Sequence, residues 1–166
     1  MLTETDRQLQ ELTGKAATHA IASVGVGSWA HAVVQHYKGR HHRANVITVE
    51  PETAACLKTS LEAGEIVPIR TGDTIMCGMN CGTVSTTAWP YLREGVDVSL
   101  TVSDVEAHRD TVYLQENGIN CGPCGAAPLS ALRKLCGKKA LSLGPDSVIV
   151  LFSTEASRPY PVPQLN

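Results

Sequence analysis

The feature that most constrains the fold is an apolar run that leads through a glycine turn into a helical pattern. Residues 19–24 (HAIASV) form the run, Gly25-Val26-Gly27-Ser28 follows directly, and apolar residues then recur at helical spacing as far as Tyr37. A short apolar run bounded by glycine is typical of a buried strand, and recurrence every three to four residues is typical of a helix. The sequence therefore predicts a strand, a tight turn and a helix in immediate succession.

Strands and helices are predicted to alternate along the rest of the chain. The patterns indicate strands at 45–49, 97–102 and 147–152, a loop at 63–85, and helices at 3–12, 52–61, 87–93, 103–116 and 124–135. Such alternation favours βαβ units around a parallel sheet. We predict an α/β three-layer sandwich with a mostly parallel sheet, in one domain over residues 1–158, followed by a Pro-rich tail at 159–166.

Two local signals refine this prediction. Ser103 and Glu106 have the spacing of a capping box, in which each side chain bonds the backbone N–H of the other, so a helix should start there. Pro128 falls within the last predicted helix, and proline is tolerated without distortion only in a first turn. We therefore expect Pro128 near the start of that helix.

Composition limits the classes of function. The chain has 166 residues, 43% of them hydrophobic, and 14 Lys plus Arg against 16 Asp plus Glu, for a net charge of -2. Because this balance produces no strong field, we expect neither nucleic acid nor a membrane as a partner, but a small uncharged or zwitterionic ligand. The polar start MLTETDRQLQ and the lack of a long apolar run predict a cytoplasmic protein with free thiols.

The glycine turn is a candidate anion site. A helix N-terminus has unpaired N–H groups and the positive end of the helix dipole, and glycine lets a phosphate approach the backbone closely. A tight turn capped by Ser28 is a purely structural alternative. A dinucleotide site is another, with Glu50 as its acid at the end of the second strand, although the glycine spacing departs from that motif.

Two further constellations could carry chemistry. Cys121 and Cys124 form a CxxC that suits a redox dithiol or, together with Cys77 and Cys81, a zinc site, but we expect buried or loop thiols and no metal. Ser153-Thr154 follows the last apolar strand. Ligands of open α/β sheets collect at the carboxyl ends of strands, so these hydroxyls could face the glycine turn or could satisfy their own turn.

Five ordered blocks resemble the C-terminal portion of fold-type II pyridoxal-phosphate enzymes, most of all the diaminopropionate ammonia-lyases and their threonine dehydratase relatives. The resemblance extends from about residue 5 to residue 156, through ASVGVGSWAHAVVQHY, ANVITVEPETAACLKTSLEAGE, DTIMCGMNCGTVSTTAW, GINCGPCGAAPLSAL and VIVLFSTE. It implies an incomplete version of the large cofactor domain of these enzymes.

The resemblance also implies roles for individual residues. Pyridoxal 5'-phosphate would be bound without a covalent link. Its phosphate would lie in the glycine turn, and Ser153, with Thr154 beside it, would bind the pyridine nitrogen. The cofactor-binding residues are then Gly25, Val26, Gly27, Ser28, Ser153 and Thr154, and those on the substrate side are Met76, Gly78, Cys81 and Gly122. The family's STEG is STEA here, with Ala156 in place of glycine.

The family's Schiff-base lysine belongs to an N-terminal segment that the resemblance does not cover. We therefore expect no catalytic residue here and little or no activity from the chain alone. Three functions remain open: half of an ammonia-lyase that carries out α,β-elimination, a pseudoenzyme that binds the cofactor or another phosphate, or a scaffold recruited to a different reaction. As partners we expect an amino acid or phosphate ligand, and a homodimer or a complementing N-terminal half.

Overall fold

Strands and helices alternate in the computed structural model, which describes residues 1–39, 43–137 and 143–164. The strands are β1 (His19–Ser23), β2 (Asn45–Pro51), β3 (Val98–Val102) and β4 (Ile149–Leu151). The helices are α1 (Leu2–Thr13), α2 (Ser28–Lys38), α3 (Cys56–Ala63), α4 (Trp89–Gly95), α5 (Asp104–Glu116) and α6 (Pro123–Gly137), and a 3-10 turn spans Cys77–Met79. No helix in these described ranges is long and apolar enough to cross a membrane.

The four strands form one parallel sheet in the order β3-β2-β1-β4. β1 and β2 lie at its centre and pair in register from His19 opposite Asn45 to Ser23 opposite Val49. All residues of β1 are buried, as the unbroken apolar run indicated. The predicted α/β fold with a parallel sheet is confirmed, and the carboxyl ends of β1 and β4 lie side by side.

Helices cover both faces of the sheet and produce the predicted three layers. One core cluster joins the sheet to α2, α3 and α4 through Val33, Leu57 and Leu92. The other joins the opposite face to α6 and α5 through Ala127, Ala131, Leu135 and Ala107. Two of the side chains that α6 contributes to this cluster, Ala127 and Ala131, are small, so α6 can lie close to the sheet.

The capping box at the start of α5 forms as predicted. The Ser103 hydroxyl accepts from the Glu106 backbone N–H at 3.2 Å, and the Ser103 N–H donates to the Glu106 carboxylate at 2.8 Å. Together these bonds satisfy two backbone donors that the first turn of a helix leaves unpaired.

The start of α3 was predicted four residues too early. Residues after β2 instead form a turn closed by the Ala54 N–H and the Pro51 carbonyl at 3.0 Å. The Glu50 carboxylate then accepts from the N–H groups of Leu57 and Lys58 at 2.7 and 2.8 Å. This acid, which belongs to β2, caps the helix and sets where it begins.

The expected position of Pro128 was wrong. α6 begins at Pro123, so Pro128 is its sixth residue and lies inside the helix. Proline has no N–H to donate to the carbonyl four residues earlier, which belongs to Cys124. The hydroxyl of Ser23, at the end of β1, donates to that carbonyl at 2.9 Å, so a contact from a distant strand replaces the missing helical bond.

Candidate functional site

The glycine loop, residues 25–28, connects β1 to α2 and is packed tightly on both sides. Gly27 has φ of 99°, and a Cβ there would lie 2.7 Å from Leu92 Cδ1. A Cβ on Gly25 would lie 3.0 Å from the Gly78 carbonyl oxygen and 3.2 Å from Cys81 Sγ. Both positions therefore need glycine, Gly27 because of its left-handed backbone as well as its lack of space.

The backbone N–H groups of this loop have no acceptor among the described residues. None of the amides of residues 25–28 donates a hydrogen bond to any part of the chain that the structure describes. The loop is nevertheless fixed, because the Val26 carbonyl accepts from the Ser85 N–H at 2.8 Å and the Gly27 carbonyl from the His31 N–H at 2.8 Å. Four free donors at the N-terminus of an 11-residue helix form a preorganised place for an anion.

A cavity of about 260 Å³ lies between the glycine loop and the segment after β4. Its lining comprises Ser23, Gly25, Trp29, Gly78, Met79, Cys124, Thr154 and Glu155. Ser153 is exposed beside it, and its hydroxyl lies 2.7 Å from where a Cβ on Gly125 would be. Of the predicted cofactor-binding residues, Gly25 and Thr154 thus line the same cavity, whereas Val26, Gly27, Ser28 and Ser153 are not in its lining.

Glu155 fixes the wall of the cavity opposite the loop. One carboxylate oxygen accepts from the Cys124 N–H at 2.7 Å, at the N-terminus of α6, and the other from Arg158 Nε at 2.7 Å. Arg158 also donates to the Ile75 carbonyl at 2.5 Å. A Cβ on Gly122 would lie 2.5 Å from the Glu155 carboxylate, so that glycine makes room for the acid.

The cysteines of the CxxC motif are unsuited to redox chemistry. Cys121 is fully buried and Cys124 almost so. Burial first, and then the nearby Glu155 carboxylate, raise the pKa of Cys121 and raise the pKa of Cys124 to about 12. A redox dithiol needs a lowered pKa. Among the described residues no group of three or more His, Cys, Asp or Glu side chains is placed to hold a metal.

Glu50 does not occupy the position that a dinucleotide site would require. Its side chain is fully buried and is engaged by the first turn of α3. Burial raises the pKa of Glu50 to about 7, against the lowering effect of the two backbone N–H groups. Because it is absent from the cavity lining, a ribose could not reach it there.

The residues expected on the substrate side lie in different environments. Gly78 lines the cavity, Cys81 is half-buried against Gly25, and Gly122 packs beneath Glu155. Met76 is fully buried in the core. Ser23, Trp29, Met79, Cys124 and Glu155 line the cavity without having been predicted to do so. Their positions in the sequence, within two residues of Gly25, Ser28, Gly78, Gly122 and Thr154, were the only available signal.

No lysine among the described residues lines the cavity. The four described lysines each pair with a carboxylate elsewhere, as Lys15 with Asp146, Lys38 with Asp97, Lys58 with Glu62, and Lys134 with Glu106. Lys138 and Lys139 fall outside the described residues.

The sequence is similar to a family of known proteins. Residues 3–155 match the family described as pyridoxal-phosphate dependent enzymes. The diaminopropionate ammonia-lyase of Salmonella typhimurium is 35% identical over 106 residues, which are 61% of this chain and 26% of that protein.

Solved structures show the same fold. The threonine deaminase of T.th. superimposes with a TM-score of 0.81 at 26% identity, over 96% of this chain and 57% of that one. Diaminopropionate ammonia-lyase of Escherichia coli gives 0.77 at 27% identity, over 93% and 42%. The chain therefore spans only part of the length of each relative.

Proposed function

Because the chain belongs to the pyridoxal-phosphate-dependent enzyme family, we propose that it supplies the phosphate-binding part of an ammonia-lyase site. In this proposal the site removes ammonia by α,β-elimination from diaminopropionate or a similar amino acid. The glycine loop holds the cofactor phosphate without a covalent link. The Schiff-base lysine comes from polypeptide outside this sequence.

The free amides of residues 25–28 are the observation that carries this proposal. Two helix N-termini border the cavity, those of α2 and α6. At α6 the Cys124 N–H already donates to the Glu155 carboxylate, so an acid of the protein occupies that end. A phosphate dianion is therefore favoured at α2, where the donors are free and no carboxylate of the described residues accepts from them.

The opposite wall suits the ring of the cofactor. Thr154 lines the cavity and Ser153 lies beside it, so we assign their hydroxyls to the pyridine nitrogen. A neutral hydroxyl partner leaves that nitrogen unprotonated, which favours elimination over transamination. When bound, pyridoxal phosphate supplies the electron sink for the reaction. On the substrate side, Gly78 is the best-placed residue, while Met76, Cys81 and Gly122 act through packing.

The positions of the lysines support the idea that the chain is inactive alone. The described lysines pair with carboxylates away from the cavity, so none is placed as an amine base for the α-proton. The same observation supports the second candidate, a non-catalytic protein that binds the cofactor. A lysine-bearing N-terminal half is the partner that would separate the two functions.

Intrinsic fluorescence tests binding directly. Trp29 lines the cavity and Trp89 is the only other tryptophan, so a Trp89→Phe background isolates the signal of Trp29. Pyridoxal phosphate should quench this fluorescence saturably and inorganic phosphate should compete. Pyridoxal without its phosphate should bind about tenfold more weakly or worse, because it lacks the charge-assisted contacts.

The controls separate the loop from the rest of the cavity. Gly27→Asp adds a negative charge beside the loop amides and forces a side chain against Leu92, which distorts the turn that presents those amides. It should therefore abolish binding. Borohydride should leave no cofactor attached to the chain in mass spectra. Quenching that phosphate does not compete with, or that survives in Gly27→Asp, contradicts the proposal.

A mixing experiment then distinguishes the two candidates. The chain is combined with the N-terminal remainder of a diaminopropionate ammonia-lyase and treated with borohydride. Covalent cofactor on the remainder, and ammonia release, only in the mixture would establish the complementing half. Cofactor binding by the chain with no change on mixing would establish the pseudoenzyme.

A further inference from the structure

Ser23 lines the cavity, and its hydroxyl proton has a defined acceptor. It is the last residue of β1, stands two positions before Gly25, is 7% exposed and lines the cavity. A serine hydroxyl has one proton to donate and two lone pairs that can accept. The carbonyl oxygen of Cys124, 2.9 Å away, can only accept, so Ser23 must be the donor of that bond.

Pro128 is the reason why this carbonyl is available. In an uninterrupted α-helix the carbonyl of Cys124 would accept from the backbone N–H of residue 128. Proline has no such N–H. The Cys124 carbonyl would remain buried without a partner, which is costly, unless another donor reached it. Ser23 provides that donor, so the proline in α6 sets the direction of a hydrogen bond at the end of β1.

Because Ser23 donates its proton to the Cys124 carbonyl, only the lone pairs of its hydroxyl oxygen are available to a ligand. No donor in the described chain is bonded to its oxygen. We propose that Ser23 is a ligand-binding residue that accepts a hydrogen bond from an N–H or O–H group of the molecule in the cavity. This inference rests on the proposed function and refines it: a ring substituent that donates is preferred at this wall over one that only accepts.

Substitutions at Ser23 test the inference through binding rather than activity. The Trp89→Phe background is titrated with pyridoxal phosphate and, separately, with inorganic phosphate. Ser23→Ala removes the acceptor and should weaken pyridoxal phosphate about tenfold, the usual effect of losing one buried hydrogen bond. Inorganic phosphate, held by the loop amides, should bind within about twofold of the parent, since the amides are unchanged.

Pro128→Ala is an independent variant that leaves Ser23 in place. It gives residue 128 an N–H that can bond the Cys124 carbonyl, so the Ser23 proton is no longer required there. The helix should become more stable while pyridoxal phosphate binds several-fold more weakly. If Ser23 had a purely structural role, a more stable helix would not be accompanied by weaker binding of pyridoxal phosphate. Thr111→Val is the control for the loss of a buried hydroxyl. The hydroxyl of Thr111 donates to the Ala107 carbonyl within α5, away from the cavity.

The outcomes separate this inference from the proposed function. The acceptor role of Ser23 is overturned, and the loop assignment stands, if Ser23→Ala binds pyridoxal phosphate within twofold of the parent. The same holds if the variant loses affinity for inorganic phosphate and for pyridoxal phosphate by the same factor. If tighter binding accompanies Pro128→Ala, the assigned direction of the hydrogen bond is wrong. If the parent binds neither ligand, the proposed function and this inference fall together.

Discussion

At the residue scale, two separate features of the structure require glycine at position 27: the left-handed backbone and the lack of space for a Cβ. Its φ of 99° excludes most side chains, and its surroundings leave no room for a Cβ. Gly64 has φ of 75° but nothing within 4 Å of its added Cβ. The two glycines therefore share a backbone conformation and differ in their neighbours.

Gly27→Ala should destabilise the fold and weaken phosphate binding together. The left-handed backbone costs about 1–2 kcal/mol for a residue with a Cβ, and the contact with Leu92 adds about 1–3 kcal/mol of overpacking. Gly64→Ala should show only the first cost and bind phosphate normally. Urea unfolding and phosphate titration of both variants measure the difference. Equal losses of stability and unchanged phosphate binding would contradict a tightly fitted loop.

At the element scale, Glu50 determines both the start of α3 and a dependence of stability on pH. Burial raises its pKa from 4.5 to about 7 in the folded chain. The folded state thus retains a proton that the unfolded state has released. The stabilisation is fully present below about pH 4.5 and is lost as the pH rises through about 7.

Replacement of Glu50 by Gln should remove this pH dependence. The free energy of unfolding of the parent, minus that of Glu50→Gln, should fall between pH 5 and pH 8 by a few kcal/mol at most, at about 1.4 kcal/mol per pKa unit. Glu62→Gln, at an exposed residue of the same helix, is the matched control, because it leaves the buried Glu50 in place. A difference that is constant or rises with pH would disprove the raised pKa.

The Glu155–Arg158 pair connects the segment after β4 to the N-terminus of α6 and to the loop at Ile75. Replacement of Arg158 by Met leaves the mostly buried Glu155 without its partner and frees the Ile75 carbonyl. We expect a loss of about 1–2 kcal/mol, because charged hydrogen bonds contribute about that amount when partly exposed. Amide exchange should accelerate around Ile75. Arg93→Met is the matched control, since Arg93 only approaches the exposed Glu94 at 3.8 Å.

Local patterns in the sequence were sufficient for most elements. The strand, turn and helix around the glycine loop and the capping box at Ser103 were predictable because their bonds lie within a few residues. The start of α3 was not, because Glu50 reaches over to bond the Leu57 N–H. Nor was the place of Pro128, whose missing bond is compensated from β1. Side-chain to backbone bonds that no local pattern predicts decided both cases, one within the connection from β2 to α3 and the other between β1 and α6.

The cavity shows the same division. The glycine loop was predictable as an anion site because strand, glycine and helix are contiguous. Glu155 and Ser23 were not recognised, because their roles depend on the N-terminus of α6, about 30 and 100 residues away in the sequence. A sequence pattern identifies the loop that binds, and only the fold shows which side chains face it.

At the scale of the whole molecule, both outer strands of the sheet have an open edge within the described residues. β3 and β4 each pair on one side only, and the residues of β4 and most of β3 are half-buried. Open edges beside apolar surface favour association with another chain or segment. This agrees with the partner that we propose, a second copy or a lysine-bearing half.

Light scattering after size exclusion tests that expectation. The chain alone, of 17.7 kDa, should form a dimer or larger species, and the N-terminal remainder of an ammonia-lyase should convert it to a defined complex. The isolated 166-residue chain is compared with the mixture at matched concentrations. A compact monomer that fails to associate with that remainder would contradict the proposed partnership.

The central claim is that the backbone amides of residues 25–28 bind the phosphate of the cofactor. Two-dimensional ¹⁵N–¹H spectra of the chain during titration with pyridoxal phosphate report on each amide separately. The account predicts that the signals of Gly25, Val26, Gly27 and Ser28 move downfield together and saturate at one equivalent. Shifts centred on the α6 amides, or none at the glycine loop, would contradict it.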